Sequence, residues 1–404
     1  MESRSARCFR FCPFPVAFRI AFALSIAGCS GENAGSGNLH INPQSDPAGF
    51  FEEAGAFTTD DTSGNVTTIN FHDIKVFDDD LVHLRKLAFL ESVNLGRHFT
   101  DAGLVHLKEL TWLKEVWLTG DSITDDGLEN LEGLTNLELV HASCAKVTNA
   151  GLARLSGLTK LRYVELESPR ITDAGLPHLS GLVELEELFL TCEHIDGTGA
   201  AHLAELPNLK TLFLNTIGET LPKEGFEAIS KIKSLEGLEG LVLEGTVVAE
   251  SGLHSLGELP NLTWLNLTGS EVGDELAKVL PKLPKLERLY LEETKITDVS
   301  VSAIAKLASL AELNLSRTKI SDVAVAKLVS LSDLDYLSIC DTEIGDASLT
   351  PLAELKNLKR LEVIATKLTK DGLIKLAEAL PECHTITKSR EPRTLEFRKA
   401  ASTE

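Results

Sequence analysis

From residue 64 onward one apolar spacing returns again and again. Leu-x-x-Leu-x-Leu begins at Leu185, Leu209, Leu238, Leu262, Leu286 and Leu310. Copies with another apolar residue at one or more of the three positions begin at Val66, Leu90, Leu113, Leu137, Leu161, Leu334 and Leu358. Most steps are 24 residues, the step from Leu90 to Leu113 is 23, and a degenerate closing copy surrounds Cys383-His384-Thr385-Ile386. In Leu286-Glu287-Arg288-Leu289-Tyr290-Leu291 the alternation predicts a short strand with Leu289 and Leu291 turned to a core. The second half of a copy, as in Ile171-Thr172-Asp173-Ala174-Gly175-Leu176, predicts a short helix N-capped by the Thr-Asp pair, its leucines packing back on the strand. One unit cannot bury its own apolar face, so units must stack into a parallel sheet. Fourteen strand positions about 4.8 Å apart give an inner face on the order of 60 Å long.

Over about 320 residues this pattern resembles the leucine-rich-repeat family, most closely the Ile-Thr-Asp repeats of its cysteine-containing subclass. The chain departs from that subclass after the strand, where Thr246, Thr294, Thr318, Thr342 and Thr366 stand in place of Cys or Asn. The resemblance implies an α/β solenoid with a curved parallel sheet on the concave face and short helices on the convex face. The period breaks once, between Leu209 and Leu238, where 29 residues separate the two copies. The added material between Ile217 and Gly237 is expected to bulge from the helical side.

The ends lack the pattern. Arg4, Arg7, Arg10 and Arg19 lead into the mostly apolar run Ile20–Ile26, which reads as a signal peptide over residues 1–28. Ile26-Ala27-Gly28-Cys29 resembles the bacterial lipobox, which implies acylation of Cys29 and a lipid-anchored cell-envelope protein, or a secreted one if Cys29 is not acylated. Ser30 after that Cys leans the reading toward the outer membrane. Arg19 interrupts the run, which argues against a transmembrane helix. Residues 29–63, rich in Gly, Ser, Asn, Asp and Pro, read as a flexible tether. The repeat domain spans 64–387, and 388–404 is a basic tail.

Charge narrows the partners. Removing residues 1–28 takes away four Arg and Glu2, leaving 35 basic against 59 acidic residues and a net charge near −24. This balance excludes nucleic acid without local charge reversal and favours a basic partner. Cys144 and Cys192 lie two repeats apart, roughly 10 Å, which is beyond disulfide reach. Cys144, Cys192, Cys340 and Cys383 are therefore expected as free thiols.

Residues between the core leucines of each strand project onto the concave face. Those singled out as binding candidates are Glu115, Trp117, Tyr163, Glu165, Glu187, Phe189, Phe213, Trp264, Asn266, Arg288, Tyr290, Glu312, Tyr336 and Arg360. Five of the six Trp and Tyr residues fall on this face, Trp112 being the exception. Random placement would put about one there, and strand preference alone explains only part of the excess. Trp, Tyr and Arg are the residues that commonly anchor interfaces. A glycosidase-like pair such as Glu165 with Glu187 lacks an enclosed subsite. His83, His106, His178 and His202 lack metal-site partners and read as solvent-facing repeat positions. Asp125, Asp173, Asp298, Asp322 and Asp346 sit where helix caps are needed, so capping explains them without calcium. No catalytic or cofactor motif occurs. The sequence thus predicts a monomeric, non-catalytic protein-binding scaffold with no cofactor and no metal, and leaves glycan binding and a purely structural envelope role as alternatives.

Overall fold

The apolar alternation closes into a single curved array. The computed structural model describes residues 42–387 apart from 72–75, 217–219, 231, 233–237, 244, 246, 249 and 384. In chain order the strands are β1 (Phe57–Asp60), β2 (Val66–Asn70), β3 (Ser92–Leu95), β4 (Glu115–Thr119), β5 (Leu139–Ser143), β6 (Tyr163–Glu167), β7 (Glu187–Cys192) and β8 (Thr211–Thr216). They continue with β9 (Thr220–Leu221), β10 (Gly240–Val242), β11 (Val247–Val248), β12 (Trp264–Asn266), β13 (Arg288–Tyr290), β14 (Glu312–Asn314), β15 (Tyr336–Ser338), β16 (Arg360–Glu362) and β17 (Thr385–Thr387). Fifteen of these form one sheet in sequence order; β9 and β11 pair separately. From β2 onward the large sheet is parallel, because each helix returns the chain to the same end.

Register stacks like residues. Val116, Val140, Val164, Leu188, Leu212, Leu241 and Leu265 occupy one ladder, continued by Leu289, Leu313, Leu337 and Leu361. All are fully buried. Each such side chain contributes about 1.5–3 kcal/mol by leaving water, and its partners are the same residues one repeat away. Cys144, Cys192 and Cys340 are buried free thiols in this core, and Cys383 is a partly buried one.

On the helical side the Thr-Asp pair divides its labour, which corrects the expectation that the aspartates are the caps. Thr124, Thr148 and Thr297 cap their own helices by accepting from the backbone N–H two residues on. The following Asp instead serves the next repeat. Thr124 donates its N–H and its hydroxyl to Asp101, at 2.8 and 2.7 Å. Thr148 does the same to Asp125 at 2.7 and 2.6 Å, and Ser321 to Asp298 at 2.8 and 2.6 Å. The small residue two places after the Asp makes room for this carboxylate: a Cβ on Gly127 would stand 2.3 Å from Asp101 Oδ1. Where Ser300 replaces that glycine, its hydroxyl donates to Asp274 Oδ1 at 2.6 Å. One step of the ladder opposes two acids, since Asp196 stands where other repeats have Thr, Ser or Gly. Burial and Asp196 push the Asp173 carboxyl above its usual range.

The two halves of the array turn differently. Strands β4 to β8 run five or six residues, whereas β10 and β12 to β16 run three. Beyond the short strands a residue in the left-handed region turns the chain away: Gly245, Gly269, Glu293, Arg317, Asp341 and Ala365, with φ from 53° to 71°. From Gly269 onward the next residue is a buried or half-buried hydroxyl. Ser270, Thr294, Thr318, Thr342 and Thr366 each donate to the carbonyl three residues back, at 2.6–2.9 Å. This turn is what the recurrent threonine serves.

The expectation of a flexible tether fails for residues 42–63; residues 29–41 lie outside the described residues, as do the signal, Cys29 and the basic tail. Asp46 caps a helix, Pro47–Glu53, that begins with proline, and β1 pairs antiparallel with β2. Phe50 and Phe51 are buried. Phe51 meets Phe71 edge-on at 5.1 Å, and Phe71 meets Phe99 at 5.6 Å, closing the end of the leucine core with aromatic rings. At the period break, the helix Lys223–Ser230 packs between Thr198–Leu203 and Glu250–Leu256, taking its place in the helical row, while β9 and β11 form their own small sheet. The rest of that insertion lies outside the described residues.

Candidate binding face

Two rows of outward-facing residues run side by side across the sheet. One carries Glu115, Leu139, Tyr163, Glu187, Thr211, Gly240, Trp264, Arg288, Glu312, Tyr336 and Arg360. The other carries Trp117, His141, Glu165, Phe189, Phe213, Val242, Asn266, Tyr290, Asn314, Ser338 and Glu362. Strand alternation sends both rows to the concave side because their neighbours fill the core. The structure therefore brings all fourteen sequence-derived candidates onto one face.

It does not leave them all open. Leu139, Tyr163 and Phe189 pack into one apolar cluster with Trp117 and Phe213 against it. Val242, Trp264 and Tyr290 form a second, with Phe213 and Tyr336 against it. Phe213 joins the two, so an aromatic pavement extends from β4 to β15. Tyr163 and Phe189 lie 5.2 Å apart and Phe189 and Phe213 5.6 Å, their planes 31° and 34° from parallel. These are ordinary offset-stacking distances. The cost is accessibility: Tyr163, Phe189 and Tyr290 are 5% exposed, Trp264 2% and Asn266 3%. These five serve mainly to pack the face, while Trp117, Phe213, Tyr336, Arg288 and Arg360 remain half-buried and reachable. Gly240 assists, since its missing side chain leaves room for Trp264 Cε3 and Thr211.

The polar groups are tied into this pavement. Trp117 lies over the ring of His141, 5.1 Å away. His141 Nδ1 stands 3.0 Å from Glu165 Oε2, off the line of a straight hydrogen bond. Tyr163 donates its hydroxyl to the same carboxylate at 2.7 Å. Burial raises the Glu165 carboxyl, but His141 and Tyr163 outweigh it and hold it below its usual range. Further along, Tyr290 donates to Glu312, and Tyr336 and Ser338 donate to Glu362 at 3.1 Å. Arg288 lies over Trp264 at 4.9 Å, and Arg360 lies over Tyr336 at 5.0 Å while donating to Glu362.

Glu187 differs. Its Oε2 is buried without a partner. Burial, with Glu186 beside it, pushes the carboxyl up to about 7 against the pull of Lys210. Glu165 and Glu187 thus favour opposite protonation, yet Tyr163 and His141 already occupy Glu165. Sequence reasoning passed over Leu139 and His141, although the spacing from Leu137 through Val140 to Ala142 marks both as outward. Among the described residues no group of His, Cys, Asp and Glu could hold a metal ion. His83 and His106 are half-exposed, His178 and His202 exposed. No described helix is long and apolar enough to cross a membrane.

Comparison with known proteins agrees with this architecture. Residues 223–397 match the family described as a leucine-rich repeat region. A leucine-rich-repeat protein of Leptospira interrogans is 18% identical, covers 76% of this chain and 80% of its own, and superposes with a TM-score of 0.51. The yeast Rad7 and Elc1 complex gives 18% identity, 74% and 81% coverage and a TM-score of 0.51. An internalin of Listeria monocytogenes gives 20%, 80% and 87%, with a TM-score of 0.48. No curated protein matches by sequence. The fold is a leucine-rich-repeat solenoid, an architecture that generally serves as a protein-interaction scaffold.

Proposed function

We propose that this protein is a non-catalytic recognition scaffold of the cell envelope that binds a basic protein partner through its concave face. The observation that supports this reading is the aromatic pavement from Trp117 to Tyr336, with half-buried rings and arginines at its surface and carboxylates along it. Rings held flat by their neighbours lose little freedom on contact, which favours binding. The solved complex of Rad7 with Elc1 shows a protein of this fold engaging another protein, which agrees with a protein partner here.

A pull-down with the full chain tests the reading against a Trp117→Ala/Phe213→Ala/Tyr336→Ala variant, after circular dichroism has shown that both fold. A protein captured by the wild type and lost in the variant supports it. Equal capture by both moves the site off the concave face, and capture of envelope polysaccharide alone replaces the protein partner with a glycan. Envelope display rests on Cys29 as a lipid attachment point. A Cys29→Ser chain should move from the membrane to the soluble fraction, and an unchanged distribution would refute the anchor.

A further inference from the structure

The concave face contains the same small arrangement twice, once complete and once not. At β15 and β16, the Tyr336 ring lies beneath the Arg360 guanidinium, 5.0 Å from its centroid, and Arg360 donates to the Glu362 carboxylate. Ring, cation and carboxylate complete one another within the chain. Arg288 over Trp264 repeats the ring and cation. At β6 and β7, Tyr163 and Phe189 stack at 5.2 Å beside Glu187, which pairs in register with Tyr163 on one side and Thr211 on the other. The ring and the carboxylate are there. Among the described residues, no arginine or lysine covers them.

The nearby cations are already engaged. Arg162 and Lys210 both bond to Glu186, on the flank of the strand, Lys210 at 2.8 Å. Glu187 Oε2 stays buried and unpartnered. A carboxylate left this way is costly in the free protein, and a donor brought by another molecule would relieve that cost. The raised Glu187 carboxyl is the electrostatic mark of the same vacancy in its surroundings.

We propose that Glu187, beside the packed rings of Tyr163 and Phe189 and the reachable, half-buried Phe213, receives an arginine side chain of the partner, whose guanidinium stacks on Phe213 and donates to the carboxylate. A planar guanidinium meets both needs at once; an ammonium meets only the charge. The inference rests on the concave-face reading and narrows it to one anchoring contact.

The probe is Nα-acetyl-arginine amide, with the neutral isostere Nα-acetyl-citrulline amide as its control. Saturation-transfer NMR on the full chain reads transfer from the protein to the side-chain methylenes of each. The arginine compound should bind saturably, and the citrulline compound about tenfold more weakly, as expected when a charge-assisted bond is lost. Glu187→Gln should erase that preference, and Glu258→Gln, exposed just beyond the helix Glu250–Leu256 and away from the concave face, should keep it. Cooperative melting curves confirm that each variant is folded, and Glu187→Ala serves as a second variant. Equal binding of the two compounds, absence of transfer, or an undiminished preference in Glu187→Gln would each overturn the proposal. Partner capture distinguishes this failure from that of the face itself: capture lost in the triple aromatic variant but undiminished in Glu187→Gln leaves the face standing and removes the arginine anchor.

Discussion

Replacing Asp101 by alanine removes both acceptors that tie one repeat to the next at that step. Thr124 loses the partner of its N–H at 2.8 Å and of its hydroxyl at 2.7 Å. The hydroxyl is free to turn to water while it continues to accept from Asp126 N, but the half-buried N–H has no second acceptor on its side. A hydrogen bond to a charged group contributes about 1.5–3 kcal/mol, and a stranded donor costs about 1–3 kcal/mol. With one bond lost outright and the other exchanged for water, Asp101→Ala should destabilise the fold by about 2–4 kcal/mol. The molecule also supplies the control. Asn149 occupies the same place two steps further on, accepting from Thr172 N at 3.0 Å and donating to Thr172 Oγ1 at 2.9 Å. Thr172, its hydroxyl oxygen now engaged as an acceptor, makes no side-chain cap to its helix, which is 3₁₀ from Asp173 to Leu179. Asp101→Asn should therefore keep the repeat contact and lose only a cap, about 1 kcal/mol. Urea unfolding followed by far-UV circular dichroism measures both, and hydrogen exchange at Thr124 N–H reports the local bond. If Asp101→Ala fell within about 0.5 kcal/mol of wild type, or if Asn proved worse than Ala, the inter-repeat ladder would not carry the stability assigned to it.

Three other outcomes follow from local geometry. Ala365, exposed at φ 56°, sits where a side chain costs about 1–2 kcal/mol, so Ala365→Gly should stabilise by about 0.5–1 kcal/mol after the entropy of glycine in the unfolded chain is deducted; a lower denaturation midpoint would contradict this. Gly345 holds the capping conformation of the threonines (φ −128°, ψ −166°) and a Cβ there meets nothing closer than 3.6 Å, so Gly345→Thr should add about 1 kcal/mol by capping and by donating to Asp322, read as a raised urea midpoint. Glu187, pushed up to about 7 from 4.5, is stabilising only while protonated: its contribution is intact below its unfolded pKa and is lost as pH rises through about 7. Glu187→Gln should thus match wild type near pH 5 and exceed it at pH 8 by about 1–2 kcal/mol, allowing for solvent screening of this partly exposed group; a pH-independent difference would refute the reasoning.

Much of this was legible because a strand repeats every two residues and a solenoid every repeat. Leu289 and Leu291 announce their strand, and Arg288 and Tyr290 between them are then outward by geometry alone. What sequence could not give was relation across repeats. Asp101 and Thr124 are both conspicuous in the chain, but that one serves the other depends on how two helices stand side by side. The burial of Trp264 and Tyr290 likewise follows from residues 20 or more positions away in sequence, among them Val242 and Phe213. Residues 42–63 read as a tether because Gly, Ser and Asp outweigh the short apolar signal of Phe50-Phe51, whose burial exists only once Phe71 is placed beneath it. Glu187 looks like any other acidic strand residue until its neighbours are seen to leave it alone.

The Asp-to-Thr ladder also bears on how such a chain changes length. Every regular repeat gives its carboxylate forward and receives one from behind, so a deletion or duplication of one whole period rejoins a matching pair wherever the cut falls inside the repeat. Recombination between neighbouring copies can then shorten or extend the binding face without redesigning a single contact. The step at Asp173 and Asp196 and the irregular junction between β8 and β10 lack this interchangeability. Length variation among relatives of this protein should concentrate on either side of them and leave that central segment intact.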